Sequence, residues 1–171
     1  MNKLFLVLLL ITFGLGSRAQ DIFNAARQND TTALAQMISN SVRIDTTDNR
    51  GSTPLIIAVY NDNEAATRLL LAKGANPNAR DFSGNTALMG ACFKGLLNMV
   101  TDLYQYKTAV NQVNYNGATA LIFAATFGHE DITRILLKYG ADKAIKDKFG
   151  KTALDYAINQ ENKNIIDILK D

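Results

Sequence analysis

The chain has few of the residue types from which cross-links, metal sites and most catalytic sites are built. Its 171 residues include one cysteine, Cys92, one histidine, His129, and no tryptophan. A single cysteine excludes an intramolecular disulfide and a multi-cysteine zinc site. A single histidine without a paired nucleophile or second ligand fits few active sites. We therefore predict no enzymatic activity and no cofactor, and we expect stability to come from packing.

An excess of charge of one sign is also missing. The full chain has 18 Lys and Arg against 16 Asp and Glu. Residues 1–19 contain Lys3 and Arg18 and no acid, so sixteen charges of each sign remain from Gln20 onward. A neutral chain without a basic block is not typical of proteins that bind nucleic acid or an anionic membrane surface. We predict no nucleic-acid partner.

One apolar run stands at the beginning of the chain. Lys3 is followed by 14 uncharged residues, from Leu4 to Ser17, and Ser17 and Ala19 occupy the −3 and −1 places of a signal-peptidase site. This pattern is typical of a secretory signal. An uncleaved anchor is the alternative, but the run is shorter than the ~20 residues that span a bilayer. We predict cleavage after Ala19, a periplasmic or secreted protein, and no stable membrane insertion.

Four copies of one motif follow at a period of 33 residues. They read DNRGSTPLIIA from residue 48, DFSGNTALMGA from 81, NYNGATALIFA from 114 and DKFGKTALDYA from 147. The same four residue types recur at the same places in every copy, and in the copy that begins at residue 114 they are Gly117, Thr119, Leu121 and Ala124. A weaker copy around Ile22 precedes them. A fixed period of this length indicates stacked structural repeats.

The chain resembles ankyrin-repeat proteins over residues 20–171. The resemblance is carried by GSTPL at 51–55, by LLAKGA at 70–75 and by LLKYGA at 136–141. It implies an all-α repeat solenoid of helix–turn–helix units with β-hairpin-like loops. Five repeats are predicted, including divergent caps, and their bounds are about 20–47, 48–80, 81–113, 114–146 and 147–171.

Local preferences account for the recurring residues. The tip glycines suit a backbone with positive φ, which a Cβ disfavours. Each threonine stands where a helix N-cap belongs, and Pro54 stands at the first helical position. Apolar residues three and four apart predict a second helix in each repeat. Gly74 and Gly140 are predicted to end two of these helices in the left-handed conformation.

The sequence departs from the family motif in two ways. In the third repeat Lys107 and Thr108 replace the Gly-Ala pair, so we expect the loop there to be distorted or mobile, and a non-glycine residue held in that turn to cost about 1 kcal/mol. The family often has a histidine after the motif leucine, and that place lacks it throughout: it holds Ile56, Met89, Ile122 and Asp155. We therefore expect the residues at that place to form no hydrogen bond between adjacent turns.

The two ends read as polar caps. The first repeat begins QDIFNAARQND, and the last contains NQENKNIIDILKD. Terminal repeats need polar outer surfaces to stay soluble. We therefore expect the chain to be complete, with no missing catalytic domain. We also predict a monomer.

Two residues need a structural and a functional interpretation side by side. His129 lies in FGHE, where Gly-His is common family sequence at the start of a second helix. Cys92 stands at a small-residue place that holds Val59 and Ala125 in other repeats. We interpret His129 as structural and Cys92 as a buried small hydrophobe. A redox or metal role for either residue is the weaker alternative.

What remains is a binding surface. In ankyrin folds the loop tips and the exposed ends of the first helices form a concave face that holds protein partners. Aromatic side chains are favoured interface anchors. We therefore predict a protein–protein interaction module, or a dedicated accessory, inhibitor or immunity protein for one exported enzyme or toxin. The predicted partner-binding residues are Tyr60, Phe82, Phe93, Lys94, Tyr115, Asn116, Phe127 and Phe149. The alternative is that several of these aromatics fold back onto neighbouring loops.

Overall fold

The computed structural model describes residues 22–171, so the predicted signal peptide and its cleavage site lie outside the described residues. Over this range the chain forms helices joined by turns, with no strand. None of the helices in 22–171 has the length and apolarity that a membrane crossing requires. The chain divides into two compact units, an N-terminal unit that ends at Ala75 and a C-terminal unit spanning Asn76–Asp171.

The N-terminal unit contains two helix pairs. Helices α3 and α4 pack on each other, and α2 packs on α4. Its buried core includes Leu34, Leu55 and Leu70. The helices are α1 (22–27), α2 (Thr31–Ser39), α3 (Pro54–Tyr60) and α4 (Glu64–Ala72).

The C-terminal unit contains three helix pairs in a regular stack. The first helices pack in the order α5, α7, α9, and the second helices in the order α6, α8, α10. The predicted all-α repeat class is confirmed, and the hairpin-like loops are held by turns. The helices are α5 (Ala87–Lys94), α6 (Leu97–Tyr104), α7 (Ala120–Thr126), α8 (Glu130–Lys138), α9 (Ala153–Asn159) and α10 (Lys163–Lys170).

Threonine caps begin the first helices, as predicted. In α7 the hydroxyl oxygen of Thr119 accepts a hydrogen bond from the N–H of Ile122 at 3.2 Å. The same bond begins α3, α5 and α9. Each cap satisfies a backbone donor that has no partner inside its helix, and such a cap contributes about 1 kcal/mol.

The predicted apolar stripe of the second helices is also confirmed. Its members lie at spacings of three and four residues, so they share the face that packs against the first helices. Leu69 and Ile135 stand at the edge of the stripe and are only partly covered. The buried members are Ala66, Leu70, Met99, Leu103, Ile132, Leu136, Ile165, Ile168 and Leu169.

The loop after α6 has a left-handed residue where its sister repeat has glycine, but it is closed by different hydrogen bonds. Lys107 has a φ of 57°, in the same left-handed region as Gly140 at 84°. The hydroxyl of Thr108 donates to the carbonyl of Leu103 at 2.6 Å. Asn78 donates to the Lys107 carbonyl at 3.2 Å and accepts from the Ala109 N–H at 2.7 Å. In the sister repeat the N–H groups of Gly140 and Ala141 donate to the carbonyls of Leu137 and Leu136. Within residues 22–171 the N–H groups of Lys107 and Thr108 make no such backbone bonds, so the expected distortion is present as a different set of closing bonds.

One buried hydroxyl in the N-terminal unit makes no hydrogen bond. Thr67 is fully buried on α4, and its Oγ1 lacks a partner in the structure. The corresponding residues in the C-terminal unit are Val100, Thr133 and Ile166, and Thr133 Oγ1 donates to the His129 carbonyl at 2.9 Å. A buried polar group without a partner carries an uncompensated desolvation cost.

We therefore expect Thr67→Val to stabilise the protein by about 1 kcal/mol, since it removes the unpaired hydroxyl at almost constant volume. The measurement is the free energy of unfolding in urea. Thr133→Val is the matched control, because it deletes a hydroxyl that is hydrogen-bonded, and it should be neutral or destabilising. A Thr67→Val protein less stable than the control would contradict the prediction.

Candidate partner-binding surface

The loop tips of the C-terminal unit are built by side-chain turns. In each tip an Asp or Asn oxygen accepts the N–H groups two and four residues later. Asp81 accepts from Ser83 and Asn85, both at 2.8 Å. Asn114 and Asp147 do the same in the next two tips. This turn fixes the tip backbone by local bonds.

Adjacent tips are tied to each other by polar bonds. The N–H of Tyr115 donates to the carbonyl of Ser83 at 3.0 Å, and that of Lys148 donates to Asn116 at 2.9 Å. The amide of Asn114 donates to Asn85 Oδ1 at 2.8 Å. The residues at the place of the motif histidine make no such bond. The Asn114 side chain and backbone groups join adjacent turns instead. Sequence reasoning missed these ties.

The three tips present exposed aromatic side chains. Phe82 is 70% exposed, Tyr115 is 55% exposed and Phe149 is 78% exposed. The backbone N–H of Phe149 is held by Asp147 at 2.9 Å, although its ring faces solvent. A backbone that is already ordered loses less conformational entropy when the exposed aromatic ring that it carries binds a partner.

A second group of aromatics lies at the ends of the first helices. The Phe93 ring meets the Phe127 ring edge-to-face with centroids 4.6 Å apart, and Phe123 with centroids 6.4 Å apart. Phe93 and Phe127 stay 39% and 47% exposed. We call these three residues the phenylalanine cluster. Edge-to-face contacts add about 0.5–1.5 kcal/mol beyond burial, so the rings stabilise one another while each is still partly exposed to solvent.

Asp147 and Tyr156 connect the last tip to α9. The Tyr156 hydroxyl donates to Asp147 Oδ2 at 2.5 Å, and Lys151 Nζ lies 5.5 Å from the Tyr156 ring centre. Burial alone would raise the pKa of Asp147, but hydrogen bonds from Tyr156, Lys151 and Phe149 outweigh it and lower that pKa. The same bond and burial raise the pKa of Tyr156. The pair holds a charged carboxylate at the base of the tip.

The structure places the predicted residues in several groups. Phe93 and Phe127 are in contact, and Lys94 is exposed in the last turn of α5. Asn116 is exposed beside Tyr115. Phe82 and Phe149 occupy separate tips, whereas the Tyr115 ring lies against Gly84 of the preceding tip, so this aromatic folds back onto a neighbouring loop as the alternative interpretation expected. Tyr60 belongs to the N-terminal unit, where it ends α3 and is 37% exposed.

Sequence reasoning missed two aromatics, Phe123 and Tyr156. Both are the fourth residue of a first helix, where the third repeat has Gly90. That place is half-buried in both repeats; Phe123 contacts Phe93 there, and Tyr156 donates to Asp147. The signal was present in the sequence, because these are bulky residues at a repeat position where glycine also fits.

His129 links two repeats. Its Nε2 lies 3.3 Å from the carbonyl oxygen of Phe93, and its ring fills the space beside Gly95. Asn63 has the same repeat position in the N-terminal unit and donates to the carbonyls of Ala26 and Arg27. Histidine therefore substitutes for asparagine as an inter-repeat link. Within residues 22–171 no group of three acidic, histidine or cysteine side chains is arranged to hold a metal ion.

Cys92 is fully buried between the first helices, as the sequence indicated. Burial raises the pKa of its thiol strongly. The thiolate is the reactive form of cysteine, so this environment keeps the side chain unreactive. Ala125 fills the same place in the next repeat and is also fully buried. The redox alternative therefore lacks an accessible thiol.

Comparison with known proteins extends the family resemblance over the described chain. A family model described as ankyrin repeats matches residues 22–114 and 91–171. The chain is 32% identical over 154 residues to B-cell lymphoma 3 protein homolog of Mus musculus, covering 85% of this chain and 34% of that protein. It is 38% identical over 100 residues to NF-kappa-B inhibitor alpha of Homo sapiens, covering 55% and 32%. It is 30% identical over 156 residues to E3 ubiquitin-protein ligase XBAT33 of Arabidopsis thaliana, covering 90% and 30%.

The chain spans about a third of the length of each of these relatives. The family match, the period of 33 residues and the stacked helix pairs agree with one another. Repeats of this kind are protein–protein interaction modules. The chain belongs to the ankyrin-repeat family.

Proposed function

We propose that the chain binds a partner protein on the concave face and loop tips of its repeats, without making or breaking a bond. The observation that carries the proposal is the exposure of aromatic side chains in the C-terminal unit. Phe82, Tyr115 and Phe149 are exposed at the tips, and Phe93 and Phe127 are exposed at the helix ends. Exposed apolar side chains that recur at the same place in successive repeats are typical of an interaction site.

The geometry of the backbone supports a preformed surface. Each tip turn is fixed by bonds from its own Asp or Asn, and neighbouring tips are joined by backbone bonds. A surface ordered before binding loses less conformational entropy when the partner arrives. Aromatic rings add large contact area with few rotatable bonds, which is why they dominate binding energy in many interfaces.

A narrower function has one finding in its favour. NF-kappa-B inhibitor alpha is among the relatives of this chain, and its name records inhibition of a protein by a chain with these repeats. We propose as the second candidate a dedicated inhibitor, accessory or immunity protein that acts on one exported enzyme or toxin. Export rests on the signal pattern of residues 1–19. A single stoichiometric partner in a pull-down favours this candidate, and several partners favour a general binding module.

The test is a double substitution in the phenylalanine cluster. We expect Phe93→Ala with Phe127→Ala to weaken partner binding by at least about tenfold, because two anchor side chains are lost. Partners are captured from an envelope extract of the source cells with the wild-type chain, and the affinity of the captured protein is then measured for each variant.

The matched control removes two aromatics of similar exposure elsewhere in the same unit. Tyr104 is 40% exposed at the end of α6, and Tyr106 is 39% exposed in the loop that follows. Tyr104→Ala with Tyr106→Ala should leave the affinity unchanged. Circular dichroism checks that both variants fold. Equal affinity of the cluster variant and the wild type, with both folded, would end the proposal.

A further inference from the structure

Two tyrosine rings of the C-terminal unit stack face to face, away from the residues of the candidate surface. Tyr104 ends α6 and Tyr139 follows α8, and their ring centroids are 3.5 Å apart with 1° between the ring planes. Aromatic pairs ordinarily prefer offset or edge-to-face arrangements with larger centroid separations. Attraction between the rings therefore does not by itself explain so close and so parallel a stack, and the surrounding backbone has to hold it.

Hydrogen bonds between the loops after α6 and α8 hold the two tyrosines relative to each other. The backbone N–H of Tyr139 donates into the last turn of α8. Asn111, in the loop after α6, donates its side-chain amide to the Gly140 carbonyl at 3.0 Å and accepts from the Asp142 N–H at 2.8 Å. The residue beside Tyr139 is thus bonded directly to the loop that follows Tyr104, so the fold itself keeps the rings in contact.

A reagent in solution can reach this pair, and few other side chains compete for its oxidation. Tyr104 is 40% exposed and Tyr139 is half-buried. Tyrosine, tryptophan and cysteine are the side chains that lose a single electron most readily. The chain has no tryptophan, and its one cysteine, Cys92, is fully buried. One-electron oxidation is therefore directed to tyrosine, and in this pair a second tyrosine lies within van der Waals contact.

We propose that Tyr104 and Tyr139 form an oxidative cross-linking site, at which a peroxidase-type one-electron oxidant joins the two rings as dityrosine. Each phenol loses one electron and one proton and becomes a phenoxyl radical, whose unpaired spin extends to its ortho carbons. A carbon–carbon bond forms between one ortho carbon of each ring, and the hydrogen on each of these carbons moves to its own phenol oxygen. The pair loses two hydrogen atoms in all, and hydrogen peroxide is reduced by them to two molecules of water.

The new bond joins α6 to α8 and so links two neighbouring repeats covalently. Groups that the fold holds in contact react as if their concentration were very high, so coupling within one chain outruns coupling between chains. A cross-link also restricts the unfolded chain between the two tyrosines, which stabilises the folded state as a disulfide does. The inference is independent of the proposed function, because neither tyrosine is among the predicted partner-binding residues.

The test treats the full chain in dilute solution with a haem peroxidase and hydrogen peroxide. We expect the monomer to lose the mass of two hydrogen atoms and to gain dityrosine fluorescence, and peptide mapping should place the cross-link between Tyr104 and Tyr139. The product within one chain should exceed the covalent dimer by at least about tenfold, since contact in the fold raises the effective concentration. The urea midpoint of the cross-linked monomer should be higher than that of the untreated chain.

Single hydroxyl deletions keep the aromatic stack and remove the reaction. Tyr104→Phe and Tyr139→Phe should each lower the yield of the product within one chain by at least about tenfold, because the remaining tyrosine has no phenol held against it. Tyr106→Phe is the matched control, since Tyr106 is 39% exposed in the loop after α6. Its yield should stay within about twofold of the wild type, because the reacting pair is intact. Wild type unfolded in urea should lose the product.

Three results would overturn the proposal, because contact in the fold would then not determine the reaction. These are cross-links that map mainly to other tyrosines, equal yields from Tyr104→Phe and the wild type, and an equal yield from the chain in urea. Absence of the product from the folded wild type also overturns it. N-acetyltyrosine amide, treated in parallel, shows that the oxidant is active in that case.

Discussion

Gly117→Ala is expected to destabilise the C-terminal unit by roughly 3 kcal/mol, which combines left-handed strain with a backbone clash. Gly117 has a φ of 79°, a region that a Cβ disfavours. A Cβ added there would lie 2.9 Å from Asp147 Cα and 3.1 Å from Lys148 N. Those are backbone atoms of the next tip, so relief requires breaking the bond from Lys148 N–H to the Asn116 carbonyl.

Gly150→Ala is the matched control for Gly117→Ala. Gly150 has a φ of 71°, but an added Cβ would meet no atom within 4 Å. It should therefore cost only the conformational strain, about 1 kcal/mol. Urea unfolding followed by circular dichroism measures both. Equal losses of stability would show that the close approach of adjacent tips contributes nothing.

The second large effect is expected at Asp147. Asp147→Ala removes the acceptor for the N–H groups of Phe149 and Lys151 and for the Tyr156 hydroxyl. Leaving several donors without a partner should destabilise the protein by about 2–3 kcal/mol. Asp147→Asn is the matched control, because Asn114 builds the same turn in the preceding tip. It should lose much less stability than Asp147→Ala.

The same pair of variants gives a pH dependence. Because the folded-state pKa of Asp147 is lowered, its charge stabilises the fold above the ordinary carboxyl pKa. That contribution disappears as pH falls through the lowered folded-state pKa. Asparagine does not titrate, so the stability difference between wild type and Asp147→Asn should be smaller at about pH 3 than at about pH 7. Urea midpoints at the two pH values measure it. A difference that grows in acid would contradict the assignment.

Much of the fold could be predicted from the sequence because repeat units are stabilised by local and nearest-neighbour contacts. Thr119 predicted a helix cap and received the expected bond. Gly74 and Gly140 predicted left-handed helix ends and have φ values of 89° and 84°. The sequence did not indicate the hydrogen bonds that a distant residue makes to the loop after α6. Asn78 holds the loop of Lys107 from 29 residues away, and no motif marked it.

The sequence predicted which positions form the candidate surface, but it did not predict which of their side chains contact one another. The period placed Phe93 and Phe127 at helix ends, but their contact depends on how far apart adjacent helices pack. Phe123 joined the cluster because its place on α7 is only partly covered. The turn holds Phe149 by its backbone N–H, which donates to Asp147, and the ring is left exposed.

The sequence by itself determined the family, the helix pairs and their caps, since a period of 33 residues and single-residue backbone preferences carry that information. Only the tertiary structure decided which side chains are free. Cys92 and Ala125 are fully buried because the next first helix packs over them, whereas Ile158, at the same place in α9, is 49% exposed. Exposure depends on the neighbouring repeat, and a pattern within one repeat does not contain it.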